Sequence, residues 1–334
     1  MKAIVFHEHG PTSNLLYEDF PDPGIGPGDC LVKVKAVSLN GFEPMILGAT
    51  TALRTPLPMI PGGDIAGEIV EVGSEVDGGQ WKAGDRVSIY PMVPGEGMTG
   101  ETRLGGCCEY VRIPATNMVP VPDDVTDVEA ASLPIAYGTA LRMMVTRGKV
   151  KAGEKVLILG ATGGVGTCCV QLAKAAGAEV IACGSAEWKL DKLKEIGADH
   201  VINTSEQNFR QVVWDLYGKP NMRGGGGVDM VINYIGGDSW VDGCKSLGPG
   251  GRMLTCGATA GYATDNDIRY IWTYELSLIG SNGWTMEDQA EIMRMVGDGR
   301  VKPALHAVRP LSETPMSIQE LIDRKVFGKI VLEP

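Results

Sequence analysis

The residues best suited to chemistry lie in LILGATGGVG, residues 157 to 166, where an apolar run gives way to Gly163, Gly164 and Gly166 and then to a helical pattern. Glycines at such a turn let the backbone approach a pyrophosphate, whose charge is held by free N–H groups and the positive end of the helix. Ala161 stands where a strict G-x-G-x-x-G has its first glycine. A glycine turn alone is weak evidence. Here a strand precedes it and a helix follows, which is the context a dinucleotide site requires, so Thr162, Gly163, Gly164, Val165 and Gly166 are candidate cofactor-binding residues. The next strand bears on which dinucleotide binds. It ends Ala182, Cys183, Gly184, Ser185, with no carboxylate at its tip to hold the ribose diol of NAD. Gly184 leaves room for a 2′-phosphate, and Ser185 and Lys189 supply a donor and a charge, so NADPH is the expected cofactor even with Glu187 close by.

Strands and helices must position these residues. KVLILG is an apolar run of strand length, and the helix after it puts Val165, Cys169, Leu172, Ala173 and Ala176 on one face. EVIAC (179 to 183), a helix around Leu190 and Leu193, HVIN (200 to 203), VDMVINYI (228 to 235), RMLTCGA (252 to 258) and LSLIGS (276 to 281) continue the series. Apolar strands alternating with helices imply a doubly wound parallel sheet covered on both faces. RGGGG, residues 223 to 227, reads as a flexible surface loop.

The first 120 residues read instead as strands between Gly and Pro turns, such as LVKVKAVSL (31 to 39) and IAGEIVEVG (65 to 73). Thr126 followed by Glu129 is a capping box that opens the first convincing helix and marks a boundary. The expected division is residues 1 to 125, a cofactor domain over 126 to 280, and a return to the first domain over 281 to 334.

Composition limits the partners. With 30 Lys and Arg against 41 Asp and Glu, the formal charge of −11 argues against nucleic acid and anionic membrane. No stretch reaches eighteen uninterrupted apolar residues, and MKAIVFHEHG lacks the apolar core of a signal peptide, so a cytoplasmic protein is expected. None of the eight cysteines is spaced C-x-x-C, and reduced thiols are expected. Cys107 and Cys108 fall on an expected strand, where neighbouring side chains diverge and do not share a metal.

The segments MKAIVFHEHG, PGDCLVKVKAVSLN, PGGDIAGEIVEVGSEV, KAGDRV, LGGCCEYVRIP, AASLPIAYGTA, GATGGVG, GADHVIN, GPGGRMLTCGAT and FGKIVL cover essentially the whole chain. Together they resemble the medium-chain dehydrogenase/reductase superfamily, on its quinone-oxidoreductase and zinc-free alcohol-dehydrogenase-like side. The resemblance implies a GroES-like β-rich catalytic domain built from both ends of the chain, a Rossmann-type cofactor domain between, and an active site in the cleft. Zinc members of that family hold their metal with a Cys, with the His of a G-H-E motif, and with a third ligand from the segment entering the cofactor domain. The matching positions here are Asn40, then Gly63 followed by Asp64, with no Cys or His in ASLPIAYGTA; Phe42 replaces a hydroxyl relay, and YPMVPGEGMTGETRLGG lacks the structural-zinc cysteines. Zinc needs several N or S ligands at about 2.0 to 2.3 Å, so no metal is expected.

Without a metal, hydride transfer to an isolated ketone has no Lewis acid for its alkoxide, whereas hydride sent to the β-carbon of a conjugated C=C–C=O gives a delocalised enolate. An NADPH-dependent reductase of an enone, quinone or enoyl thioester is therefore expected, acting on a small-molecule substrate. The resemblance places the nicotinamide against Thr139, Asn233 and the loop from Gly257 and Ala258 to Thr259, with Asn282 also at the cofactor and Lys329 at its phosphates; an edge-strand lysine is the plain alternative for Lys329. Asn40 faces the substrate and donates to the developing oxyanion, or else ties down a turn. Tyr90 and Tyr137 are candidate proton donors, and His306 reads as structural. DIRYIWTYELSLIGSN and GETRLGG also resemble crotonyl-CoA carboxylase/reductases, which makes an acyl thioester possible as substrate. Where those enzymes hold carbon dioxide with Phe-Glu and a His, this chain has Gly100, Glu101 and Asn282, so carboxylation is not expected. Two other readings stay open: a metal-free carbonyl or alcohol oxidoreductase, and an NADPH-binding protein without turnover. The apolar strand LSLIGS suggests a homodimer paired through a sheet edge.

Overall fold

A computed structural model describes every residue except Ala52 and Gly78. In chain order it begins β1 (Lys2–Val5), β2 (Leu16–Asp19), β3 (Asp29–Leu39), α1 (Glu43–Leu47), β4 (Asp64–Val72), β5 (Arg86–Ile89), β6 (Met92–Val93) and β7 (Gly97–Met98). It continues with β8 (Tyr110–Pro114), β9 (Met118–Pro120), α2 (Asp127–Ala131), α3 (Pro134–Leu141), β10 (Lys155–Ile158), α4 (Gly164–Ala175), β11 (Glu179–Gly184) and α5 (Glu187–Glu195). Then come β12 (His200–Asn203), α6 (Phe209–Tyr217), β13 (Val228–Ile232), α7 (Ser239–Ser246), β14 (Leu247–Thr255), α8 (Ile268–Thr273) and β15 (Ser277–Gly280). The chain closes with α9 (Met286–Gly297), β16 (Leu305–Pro310), α10 (Thr314–Ile322) and β17 (Lys329–Glu333).

These elements form two compact units. One is Met1–Tyr137 with Thr285–Pro334, and the other is Gly138–Trp284. The first therefore runs past the expected break at residue 125, because α2 packs on β3 and β4 and so belongs with them. The return falls at 285 rather than 281.

The sheet of the first unit has the order β16-β17-β3-β4-β5-β9, with β8 pairing the start of β3. β3 explains how it positions a site. Val32 and Val34 are buried while Lys33 is exposed, as alternation requires of a half-covered sheet. From Ala36 to Asn40 every residue is buried, so the end of the strand enters the interior on both faces and carries Asn40 with it. Around it pack Ile4, Phe6, Ile65, Ile69, Ile89 and Ile330. Cys107 and Cys108 lie just before β8 rather than within a strand, and both are buried free thiols.

The second unit is a parallel sheet in the order β12-β11-β10-β13-β14-β15. Strand order reverses between β10 and β13, the switch point at which open α/β sheets bind ligands beyond their strands' C-terminal ends. Val156, Leu157, Ile158, Val231 and Ile232 are fully buried, as strands covered on both faces must be. Gly224 to Gly227 all take positive φ, so RGGGG is a sequence of turns that side chains would strain. Among the described residues no helix is long and apolar enough to cross a membrane.

The Thr126 hydroxyl accepts from the Glu129 N–H, and the Glu129 carboxylate accepts from the Thr126 N–H, completing the box read from the sequence. Thr126→Ala should cost about 1 kcal/mol and lower the thermal midpoint by a few degrees; an unchanged midpoint would show that packing alone holds α2.

Candidate active site

In the first unit four elements converge on a buried polar cluster. Asn40 ends β3, Asp64 opens β4, Lys329 opens β17 and Ile135 lies in the first turn of α3. Lys329 is 1% exposed and Asp64 0%. The Lys329 ammonium donates to Asn40 Oδ1 and, at 3.0 Å, to Asp64 Oδ2. Asn40 Nδ2 donates to the same Asp64 oxygen at 2.9 Å, and the Ile135 N–H donates to Asp64 Oδ1 at 2.8 Å. An ammonium only donates and a carboxylate only accepts, so these partners fix which way the Asn40 amide points.

Glu43, the first residue of α1, lies against this cluster, and its Oε2 accepts the Asn40 N–H at 2.6 Å. Burial raises its carboxyl to about 7, opposed by the Lys329 charge and the Asn40 N–H and reinforced by Asp64.

This geometry corrects several expectations. Lys329 is neither on an edge nor available to cofactor phosphates. β17 lies between β16 and β3, and the ammonium is committed to Asn40 and Asp64. Tyr137 is fully buried, and its phenolic oxygen accepts the Ala304 N–H at 2.8 Å. Tyr90 is half-buried, its backbone tied to Asn117. His306 stands 3.7 Å from the Glu320 carboxylate, outside the cluster.

A zinc ion does not fit the Asn40, Gly63 and Asp64 positions. The amide oxygen of Asn40 already faces a cation, and Asp64 is occupied by three donors. A Cβ at Gly63 would stand 2.9 Å from the Thr99 carbonyl, leaving no space for a histidine without backbone movement. Among the described residues no set of three His, Cys, Asp or Glu side chains gathers to hold a metal.

The dinucleotide fits better. In the second unit, a Cβ at Gly166 would meet Gly160 O at 2.4 Å and Ala161 Cα at 2.6 Å, so only glycine lets α4 start so close to β10. Gly160 turns the chain with φ +70. Gly163 is exposed and caps α4 without a side chain, while a Cβ there would meet only Gly160 O at 3.9 Å. The first helical bond runs from the Thr167 N–H to Gly163 O, so the N–H groups of Gly164 and Val165 precede the ladder and suit an anion, while that of Gly166 faces the Tyr234 phenolic oxygen.

The second unit also carries Thr139, 8% exposed on α3. Its parallel strands put Thr162, Gly184, Ser185, Asn233, Gly257, Ala258 and Asn282 at or just beyond their C-terminal ends. One of these is more crowded than expected. The space beside Gly184 is filled: a Cβ there would stand 2.9 Å from Thr162 Cγ2 and 3.0 Å from Leu190 Cδ2. Asn233 is fully buried, its Oδ1 accepting from the N–H groups of Ile235 and Gly236 and from Ser239 Oγ. Its Nδ2 lies 3.3 Å from where a Cβ on Gly243 would stand and, though buried, has no hydrogen-bond partner among the described residues. Ser185 is exposed, and Lys189 lies 6% exposed with its ammonium 5.3 Å from the Trp188 ring and its pKa lowered by burial. Glu187 accepts from Asn203 Nδ2 at 3.3 Å.

Comparison with known proteins agrees with both units. Residues 26–123 match the alcohol dehydrogenase GroES-like domain, and residues 164–298 match the family described as zinc-binding dehydrogenase. A 2-methylene-furan-3-one reductase from Solanum lycopersicum is 31% identical, over 100% of this chain and 79% of that protein. A crotonyl-CoA reductase from Streptomyces avermitilis is 29% identical, over 96% of this chain and 82% of that protein. A crystal structure described as an NAD-dependent alcohol dehydrogenase superposes with a TM-score of 0.91 at 31% identity, covering 100% of both chains. The chain belongs to the medium-chain dehydrogenase/reductase superfamily. It is an oxidoreductase of the class that uses a nicotinamide dinucleotide.

Glu43 generates a prediction. Its folded pKa, about 7, lies above the ordinary 4.5, so the folded protein holds a proton that the unfolded chain releases, and stability falls as pH rises from 4.5 to about 7. Glu43→Gln keeps an acceptor for the Asn40 N–H without the ionisation. Its thermal midpoint should exceed the wild type's by a margin that widens between about pH 5 and about pH 8, corresponding to at most about 3 kcal/mol; a constant margin would contradict this assignment.

Proposed function

We propose that the protein is an NADPH-dependent reductase that delivers hydride to an activated C=C in an enone, a quinone or an enoyl thioester, with no metal in the step. One observation carries the reading: at the positions where zinc members hold their metal, this chain sets a carboxamide between a buried ammonium and a buried carboxylate. Such a site offers hydrogen-bond donors rather than a Lewis acid. Hydride arriving at the β-carbon of a conjugated acceptor leaves an enolate, which donors stabilise, and the α-carbon then takes a proton from solvent water. An isolated ketone yields a localised alkoxide that needs a metal or a placed acid. One N–H of the Asn40 amide goes to Asp64, and its second N–H is the donor assigned to the substrate oxygen. The substrates in the names of the two similar reductases, crotonyl-CoA and 2-methylene-furan-3-one, are conjugated alkenes.

For the cofactor, the exposed Ser185 and the partly desolvated Lys189 support NADPH, with Glu187 held toward Asn203. The N–H groups at the start of α4 take the pyrophosphate. When bound, the cofactor supplies the hydride. A homodimer through the outer edge of β15 belongs to the same reading, since β15 pairs only with β14 and Leu278 is 39% exposed.

The test is NADPH oxidation with a panel of enones, quinones, enoyl thioesters and saturated aldehydes. Conjugated acceptors should exceed saturated ones in kcat/KM by at least about 100-fold; equal rates with saturated aldehydes would favour a carbonyl reductase. Lys189→Ala should raise the KM for NADPH by about tenfold and leave that for NADH unchanged, as loss of one charge-assisted contact to a 2′-phosphate requires.

A further inference from the structure

We propose that Lys329 and Asp64 are positioning residues that act through Asn40: the buried ammonium at the amide oxygen polarises the carboxamide, so that its second N–H meets the developing oxyanion as a charge-assisted donor. The proposal rests on the role given to Asn40 above, but holds for any oxyanion formed at that amide, enolate or alkoxide.

Three observations lead there. The orientation is enforced, since Lys329 has only protons to offer and ionised Asp64 only lone pairs, so the Asn40 oxygen faces the cation and its nitrogen the anion. A cation at an amide oxygen draws electron density from nitrogen and strengthens its N–H groups as donors, and in a buried site that pull is screened less than in water. The opposing pull of Asp64 is divided, because its carboxylate serves Lys329, Asn40 and the Ile135 N–H together.

Stability does not account for the arrangement. A fully buried ammonium and carboxylate repay their desolvation poorly, and apolar residues of similar volume often do as well. Lys329 is followed by Ile330, Val331 and Leu332, all fully buried, in a strand that would accept an apolar side chain. The charge is retained in an apolar setting, and what it touches besides its counter-ion is the amide of Asn40.

The experiment compares four proteins: wild type, Asn40→Ala, the paired variant Lys329→Met with Asp64→Asn, and the triple variant. Removing both charges together avoids an unpaired buried ion and keeps the fold accessible. With whichever acceptor the wild type reduces, the paired variant should lose about 10- to 100-fold in kcat with the KM for NADPH within about twofold, as for partial loss of an oxyanion donor. The triple variant should be no slower than Asn40→Ala alone, because the charges act through that amide. A substrate-free readout accompanies the kinetics. The Asn40 side-chain amide protons, assigned by their loss in Asn40→Ala, should shift upfield in the paired variant. A wild-type kcat in the paired variant, a full additional loss in the triple variant, or unmoved amide resonances would each overturn the proposal. Preference for saturated aldehydes by the wild type would overturn only the acceptor assignment.

Discussion

The contact on which the rest of the first unit depends is the buried bond set joining Lys329, Asp64 and Asn40. Removing an ammonium and a carboxylate from water costs several kcal/mol for each ion, offset only when geometry and additional hydrogen bonds are good. Here the end of β3, the starts of β4 and β17 and the first turn of α3 supply that geometry at once, so the cluster ties together one strand's end and three elements' starts. It also decides what the site can do. In the reading proposed above, the ammonium organises an amide donor at the position where zinc members have a Lewis acid.

The second unit solves its problem with backbone. Gly160, Gly166 and Gly184 leave out side chains so that strand, helix and loop can approach within contact distances that any Cβ would break. That closeness presents the first N–H groups of α4 without a competing side-chain cap. The features there that suit an anion are peptide groups and the helix dipole, whereas the charges of the first unit are buried side-chain ions.

Much of this was legible in the sequence because it is local. The alternation of Val32 and Val34 with Lys33, the box from Thr126 to Glu129, and the glycine turn after KVLILG each depend on neighbours within a few residues. The cluster was not legible, since Lys329 and Asn40 are 289 residues apart and only the antiparallel pairing of β17 with β3 brings them together. FGKIVL and PGGD carried the signal as a lysine and an aspartate, each entering an otherwise apolar strand, a pattern that marks a buried pair once the two strands are known to flank β3 in one sheet. The packing beside Gly184 was illegible for a related reason. Sequence gives a residue's place at a strand end, but not which of its sides is already filled by Thr162 or Leu190.

Metal analysis of the purified native protein, with turnover followed through exhaustive chelation, bears most directly on the claim that an amide organised by buried charge stands in place of a metal. Less than about one-tenth of an equivalent of zinc and undiminished turnover are predicted, since the donor set cannot complete a site. One equivalent of zinc, removed by chelator together with activity and restored with it, would contradict the account.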